Sequence, residues 1–293
     1  MAATRPVLRY HGGKWKLAPW ILAHLPPHRT YVEPFGGAAS VLLRKPRSYG
    51  EVYNDLDGAV VNLFRVLRDP AQAVELERRV RLTAYARDEF AWSYGEPVDA
   101  IDDAHRMVVR SFMGFGSAAM TRTHKTGFRS NTDRSGTTPA ADWVTWPAQI
   151  ATFTERLRGV VIEHRPAVDV MAQHDGPLTL HYVDPPYPHD TRSSMRDGSR
   201  GGVKHAYRHE MTDEDHRALA RALHRLEGMV LVSGYSCALY DRDLYPDWTR
   251  VRRATFADGA RPRVECLWLN PAASARVAAA PASLFALPLE RRA

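Results

Sequence analysis

The sequence predicts an α/β fold in which a sheet is covered by helices. Two observations carry that reading: short runs rich in β-branched and aromatic residues alternate with helical patterns, and most of those runs stop at polar, glycine or proline residues. In chain order, residues 31–34 (YVEP) and 51–54 (EVYN) read as short strands, and residues 38–44 and 57–68 as the helices that follow them. Residues 160–165 (VVIEHR), 178–184 (LTLHYVD) and 229–235 (MVLVSGY) read as buried strands of the same sheet. Thr212, with Asp215 three residues on, resembles a capping box with Asp in place of Glu, and Leu219, Leu223 and Leu226 then fall on one helical face.

Residues 69–150 interrupt the alternation. Helical patterns run to about residue 115 and give way to a stretch rich in Gly, Ser, Thr and Arg, so the block reads as an inserted, mainly helical subdomain. Residues 272–293 are alanine-rich with two prolines and read as a surface tail. A length of 293 residues suits one large domain with an insertion, and 44% hydrophobic with 25% charged residues excludes a disordered or collagen-like chain. No apolar run approaches the roughly 18 residues of a membrane span. The first 20 residues lack the apolar stretch of a secretory signal, and Cys237 and Cys266 form neither a CxxC pair nor a thiolate zinc site, so the cytoplasm is the expected compartment. The net charge of +7 is carried mostly by arginine, 35 against five lysines. Arginine's planar fork suits phosphate and guanine edges, which makes a polyanionic partner plausible.

Three segments carry chemistry. In residues 31–40 (YVEPFGGAAS) a strand delivers Glu33, and a turn with Gly36 and Gly37 then lets the backbone approach a ligand closely. A glycine pair after a strand is equally an ordinary tight turn. Asp55, about 20 residues after Phe35 at the end of the next strand, is placed to take both hydroxyls of a ribose. Its other reading is a helix cap, a place Asp57 fills equally well. The third segment is Asp184-Pro185-Pro186-Tyr187 directly after an apolar strand. The prolines have fixed φ and no backbone donor, so a carboxylate, a carbonyl and an aromatic ring are held around one point. That arrangement suits an exocyclic amine, with Asp184 and the Pro185 carbonyl each accepting one N–H and Tyr187 stacking on the ring.

Taken in order, PVLRYHGGKWKL, YVEPFGGAAS, YNDLDG and VDPPY resemble the DNA adenine-N6 methyltransferase family of the Dam or D12 type, including its phage members. The likeness runs over about residues 1–70 and 155–270, including HEMTDEDH and ECLWLNP. It implies a Rossmann-like sheet that binds S-adenosylmethionine, split into catalytic parts 1–68 and 151–271 around a target-recognition block 69–150, with a tail from 272. It further implies that Tyr10, Lys14, Glu33, Phe35, Gly37, Asp55 and Asp184 surround the cofactor, and that Asp184, Pro185, Pro186 and Tyr187 hold an adenine flipped out of double-stranded DNA. Two residues depart from the family pattern: Tyr10 stands where tryptophan is commoner, and Ala39 replaces the last glycine of FxGxG.

The expected reaction needs no metal. Hydrogen bonds to Asp184 and Pro185 favour a more tetrahedral N6, and in-line positioning against the sulfonium methyl does the rest. His205 and His209, four residues apart, lack the glutamate of a metalloprotease helix and read as histidines facing solvent. Rival readings are methylation of cytosine N4, RNA adenine or a protein glutamine, and an inactive DNA-binding relative.

DNA contacts are expected in two places. Residues 104–134 carry six basic residues against the single acid Asp133, with Arg106 and Arg110 sharing a helix face and Arg122, Lys125, Arg129 and Arg134 in a polar stretch. Residues 188–210 include Arg192 in a glycine-rich run that reads as a lid over phosphate or as a solvated loop. Ser283-Leu284-Phe285 looks like the end of a sliding-clamp docking peptide, although its leading Gln is absent.

Overall fold

The computed structural model describes residues 3–10, 12–116, 125–132, 136–188, 209–257 and 261–279. Among them one sheet contains β1 (Thr30–Glu33), β2 (Gly50–Asn54), β3 (Val160–Glu163), β4 (Thr179–Val183), β5 (Met229–Tyr235), β6 (Thr249–Ala257) and β7 (Arg261–Leu269). Its order is β3-β2-β1-β4-β5-β7-β6, with β7 antiparallel to both neighbours and the other pairings parallel. The connections change direction between β1 and β4. In an open α/β sheet that switch opens a crevice beyond the strands' carboxyl ends.

The strands alternate between two cores, one on each face. On β5, Met229 and Leu231 enter the larger core while Val230 and Val232 enter the smaller, and on β7 Leu267 and Leu269 oppose Cys266 and Trp268. Burial on both faces explains why β4 and β5 read as nearly continuous apolar runs.

The helices are α1 (Ala18–Leu22), α2 (Gly58–Arg68), α3 (Pro70–Leu82), α4 (Arg87–Trp92), α5 (Ala100–Met113), α6 (Pro139–Thr145), α7 (Ile150–Leu157), α8 (Ala167–Gln173), α9 (Asp213–Leu223) and α10 (Pro271–Ala279). Asp57 caps α2 through Ala59 N, and Asp69 caps α3 with Pro70 at its first position. The capping box of Thr212 and Asp215 opens α9, whose Leu219 and Leu223 are buried in the smaller core, with Leu226 packed against it.

Two expectations are corrected. Residues 38–44 form successive turns rather than a helix: Leu42 N–H goes to Glu33 Oε2 at 3.0 Å, and Ala39 has φ 50. Residues 272–279 belong to α10 rather than to a surface tail. Asn270 explains the docking, because its Oδ1 accepts from Ala273 N and Val230 N at 2.9 and 3.0 Å while its Nδ2 donates to Gly228 O. The rest of the tail, with Ser283-Leu284-Phe285, lies outside the described residues. Leu76 of α3, Val108 of α5 and Trp143 of α6 share the larger core with Leu63 and Phe64 of α2.

Candidate active site

Three strand ends and the amino-terminal loop converge at the crevice. Asn54, the last residue of β2, ties its strand to the segments that follow β1 and β3. Its Nδ2 donates to Pro34 O and Arg165 O at 2.9 and 3.0 Å, its Oδ1 accepts from Arg165 N, and its carbonyl accepts from Gly36 N. The glycine turn is then clamped by aromatic rings. A Cβ on Gly36 would lie 2.1 Å from the Tyr53 ring, and one on Gly37, whose φ is +47, would lie 2.9 Å from the Tyr10 ring. Tyr53 also donates its hydroxyl to Gly37 O at 2.7 Å. Ala39, the departure from glycine, takes positive φ while fully buried. The left-handed strain of about 1–2 kcal/mol is offset by the buried methyl and by the backbone entropy a glycine would lose.

The two readings of Asp55 separate here. Asp57 is the cap, whereas Asp55 lines the cleft and accepts Gly37 N on Oδ2 and Asp57 N on Oδ1, each at 2.8 Å. Burial raises its pKa, opposed by those two backbone donors. Each oxygen keeps a lone pair for a further hydroxyl. Glu33, at the end of β1, is buried, and its Oε2 accepts from Tyr31 Oη at 2.7 Å and from Leu42 N. Burial lifts its pKa to about 8.

Lys14 reaches in from the amino-terminal loop. Its Nζ donates to Gly12 O at 2.8 Å and pairs with Asp184 Oδ2 at 2.9 Å, directly past the end of β4. Asp184 Oδ1 is buried and accepts nothing among the described residues. Burial raises the Asp184 pKa, opposed first by Lys14 and then by the nearby Tyr187 and Ser233 hydroxyls. Tyr187 is buried rather than standing open in the cleft: Lys14 Nζ lies 4.7 Å from its ring centroid, Tyr235 packs edge-on at 4.9 Å, and its hydroxyl donates to Glu265.

The cleft has a volume of about 630 Å³. Tyr10, Lys14, Glu33, Phe35, Gly37, Asp55, Asp184 and Pro186 line it together. Pro166–Val168 at the start of α8 and Met211 and Leu219 around α9 complete its apolar wall. These residues, with Tyr182, Ser233 and Glu265, escaped the sequence reading. The available signal for Glu265 was one acid inside the apolar run ECLWL.

The basic residues fare differently. Arg106 and Arg110 do not share an exposed face. Arg106 Nε donates to Asp102 Oδ2 at 2.8 Å with its guanidinium 3.9 Å from the Trp92 ring, and Arg110 is 1% exposed and donates to Ser93 O. Both hold the 92–95 loop against α5. Arg129 is buried; its N donates to Met113 O and its O accepts from Tyr85, both at 2.7 Å. Lys125 is exposed. Arg122, Arg134 and Arg192 lie outside the described residues, as does most of the 188–210 segment. His209 lines the cleft, and no cluster of three or more potential metal ligands occurs among the described residues. Nor is any described helix long and apolar enough to cross a membrane.

A family model described as D12 class N6 adenine-specific DNA methyltransferase matches residues 10–247, from the Tyr10 loop past the end of β5. The chain belongs to that family. It is therefore an enzyme of the adenine-N6 DNA methyltransferase class, and the resemblance carried by the glycine turn and DPPY is borne out. No curated protein matches the chain significantly. For a D12 methyltransferase the methyl donor is S-adenosylmethionine, and the cleft fits a group of that size. The glycine turn has no room for side chains at Gly36 and Gly37, because the Tyr53 and Tyr10 rings fill that space.

Proposed function

We propose that this D12 methyltransferase binds S-adenosylmethionine between the Gly36-Gly37 turn and α9, takes an adenine flipped out of double-stranded DNA, and methylates its N6 at Asp184. The observation that carries the proposal is the divided carboxylate of Asp184: Oδ2 is held by Lys14, and buried Oδ1 accepts nothing among the described residues. A buried acceptor left unsatisfied is costly unless a ligand supplies the donor. The N6 amine is such a donor.

When bound, S-adenosylmethionine supplies an electrophilic methyl on a sulfonium. Asp55 would hold the ribose hydroxyls, Phe35 and the apolar wall would hold the adenosine ring, and Lys14 would orient Asp184. Asp184 Oδ1 and the Pro185 carbonyl would each accept an N–H of the target amine, drawing its lone pair out of conjugation and towards the methyl. Tyr187, fixed by Glu265, would form the wall beside the base.

Residues 69–150 would be the target-recognition part. Among the described residues, six helices (α2 to α7) connect the adjacent parallel strands β2 and β3, where a single crossover helix suffices. Lys125, with Arg122, Arg134 and Arg192, would meet DNA, whereas Arg129 would act through its backbone bonds. Docking of Ser283-Leu284-Phe285 on a sliding clamp remains part of this reading, testable by binding of the tail peptide. The whole proposal is tested by transfer of tritiated methyl to duplexes that contain or lack adenine, with digestion to identify the modified base.

A further inference from the structure

We infer that Glu265 is a positioning residue of the methyl-transfer site, holding Lys14 and Tyr187 where they leave Asp184 Oδ1 open to the target amine. The inference rests on the role proposed for Asp184 and extends it to a residue beyond the 10–247 span that matches the family.

Glu265 breaks the apolar pattern of β7 at a cost. It is 2% exposed, on the strand that carries Leu267 and Leu269 into the core. An acid buried there is tolerated only with partners. The antiparallel register pairs it with Tyr235, at the carboxyl end of β5, so its carboxylate enters beside the DPPY loop. There its Oε1 accepts the Tyr187 hydroxyl and the Ser233 hydroxyl, the latter at 3.3 Å, and lies 4.0 Å from Lys14 Nζ.

Lys14 thus stands between two buried carboxylates, 2.9 Å from Asp184 and 4.0 Å from Glu265, with Gly12 O on a third side. The pull of Glu265 keeps the ammonium on one Asp184 oxygen. Without it, the ammonium would be drawn across both oxygens and would occupy the lone pair the amine requires. The same carboxylate tethers Tyr187, whose hydroxyl lies close enough to Asp184 to favour its charged form by hydrogen bonding. Released from Glu265, that hydroxyl would become a second competitor for Asp184.

The test uses the full chain, S-adenosylmethionine and an adenine-containing duplex. Wild type is measured first, because its transfer to adenine N6 reads the proposed function independently of Glu265; should it methylate another amine, the variants are compared on that substrate. Glu265→Ala is expected to lower the single-turnover rate about 100-fold with S-adenosylhomocysteine affinity held within about threefold. Glu265→Gln keeps an acceptor for Tyr187 and Ser233 and is expected to recover about tenfold over Glu265→Ala. Adding Tyr187→Phe to Glu265→Ala is expected to recover at least about threefold in rate, because the released hydroxyl that competes for Asp184 is gone. A Glu265→Ala rate within about threefold of wild type overturns the inference, as does an equal loss of rate and cofactor affinity that Glu265→Gln does not restore. If Glu265→Ala does not fold, Glu265→Gln decides alone: a rate about five- to twentyfold below wild type at unchanged cofactor affinity supports the role, and a wild-type rate ends it.

Discussion

Lys14 Nζ lies 2.9 Å from Asp184 Oδ2, and the other oxygen of that carboxylate, buried, has no donor among the described residues. The lysine comes from the loop before α1 and the aspartate from the end of β4, so the pair joins the amino terminus of the chain to the centre of the sheet. One oxygen is used to hold the side chain, which on the proposed reading leaves the other for substrate.

Replacing Asp184 by Ala should therefore act on chemistry more than on cofactor capture. The expected loss in single-turnover rate is about 10²- to 10³-fold, the scale for removing one preorganised group, with S-adenosylhomocysteine affinity largely intact by calorimetry. A folded variant within tenfold of wild type would remove Asp184 from the reaction.

Asp55→Ala should do the opposite. Losing charge-assisted bonds to the ribose is expected to weaken S-adenosylmethionine by about 1.5–3 kcal/mol. Asp57→Ala, which removes the cap of α2, should instead lower stability by about 0.5–2 kcal/mol. Calorimetry and thermal melts on the two variants separate the roles.

Glu33 makes stability depend on pH. Its folded pKa of about 8 stands above the ordinary 4.5, so the folded state retains a proton that the unfolded chain releases. The resulting stabilisation is complete below about 4.5, declines as pH rises, and is gone above about 8. Glu33→Gln should flatten that decline in melting temperature between pH 5 and 8.5. An unchanged slope would show that Glu33 ionises normally.

The basic residues of 104–134 should divide by burial. Arg106→Ala leaves Asp102 buried without its partner and is expected to cost about 3–5 kcal/mol of stability. Lys125→Ala should leave the melting temperature alone and lower the salt slope of DNA binding by about one. An identical salt slope for Lys125→Ala and wild type would move recognition away from that residue.

Much of the sheet was legible because strands buried on both faces cannot hide their apolar runs: β4 and β5 fall within or on the expected 178–184 and 229–235. Asp184-Pro185-Pro186 was legible because proline punctuates a strand visibly. Residues 38–44 were not, since the Leu42 amide is diverted by Glu33, nine residues earlier and on another element. The docking of α10 depends on Asn270 reaching Gly228 and Val230 across the sheet, which no local pattern reports. Arg106 and Arg110 have the spacing of a solvated stripe, yet the loop before α5 folds back over them. Glu265 meets Tyr187 across 78 positions of sequence, a contact created by the antiparallel return of β7.

The most direct test of the account is to incubate the purified chain with isotopically labelled S-adenosylmethionine and duplex DNA of mixed sequence, digest the product and identify the labelled nucleoside by mass spectrometry. The account predicts N6-methyladenine as the labelled base, formed about 10²- to 10³-fold more slowly by Asp184→Ala. Label on cytosine N4, or no label from a folded protein that binds the cofactor, would contradict it.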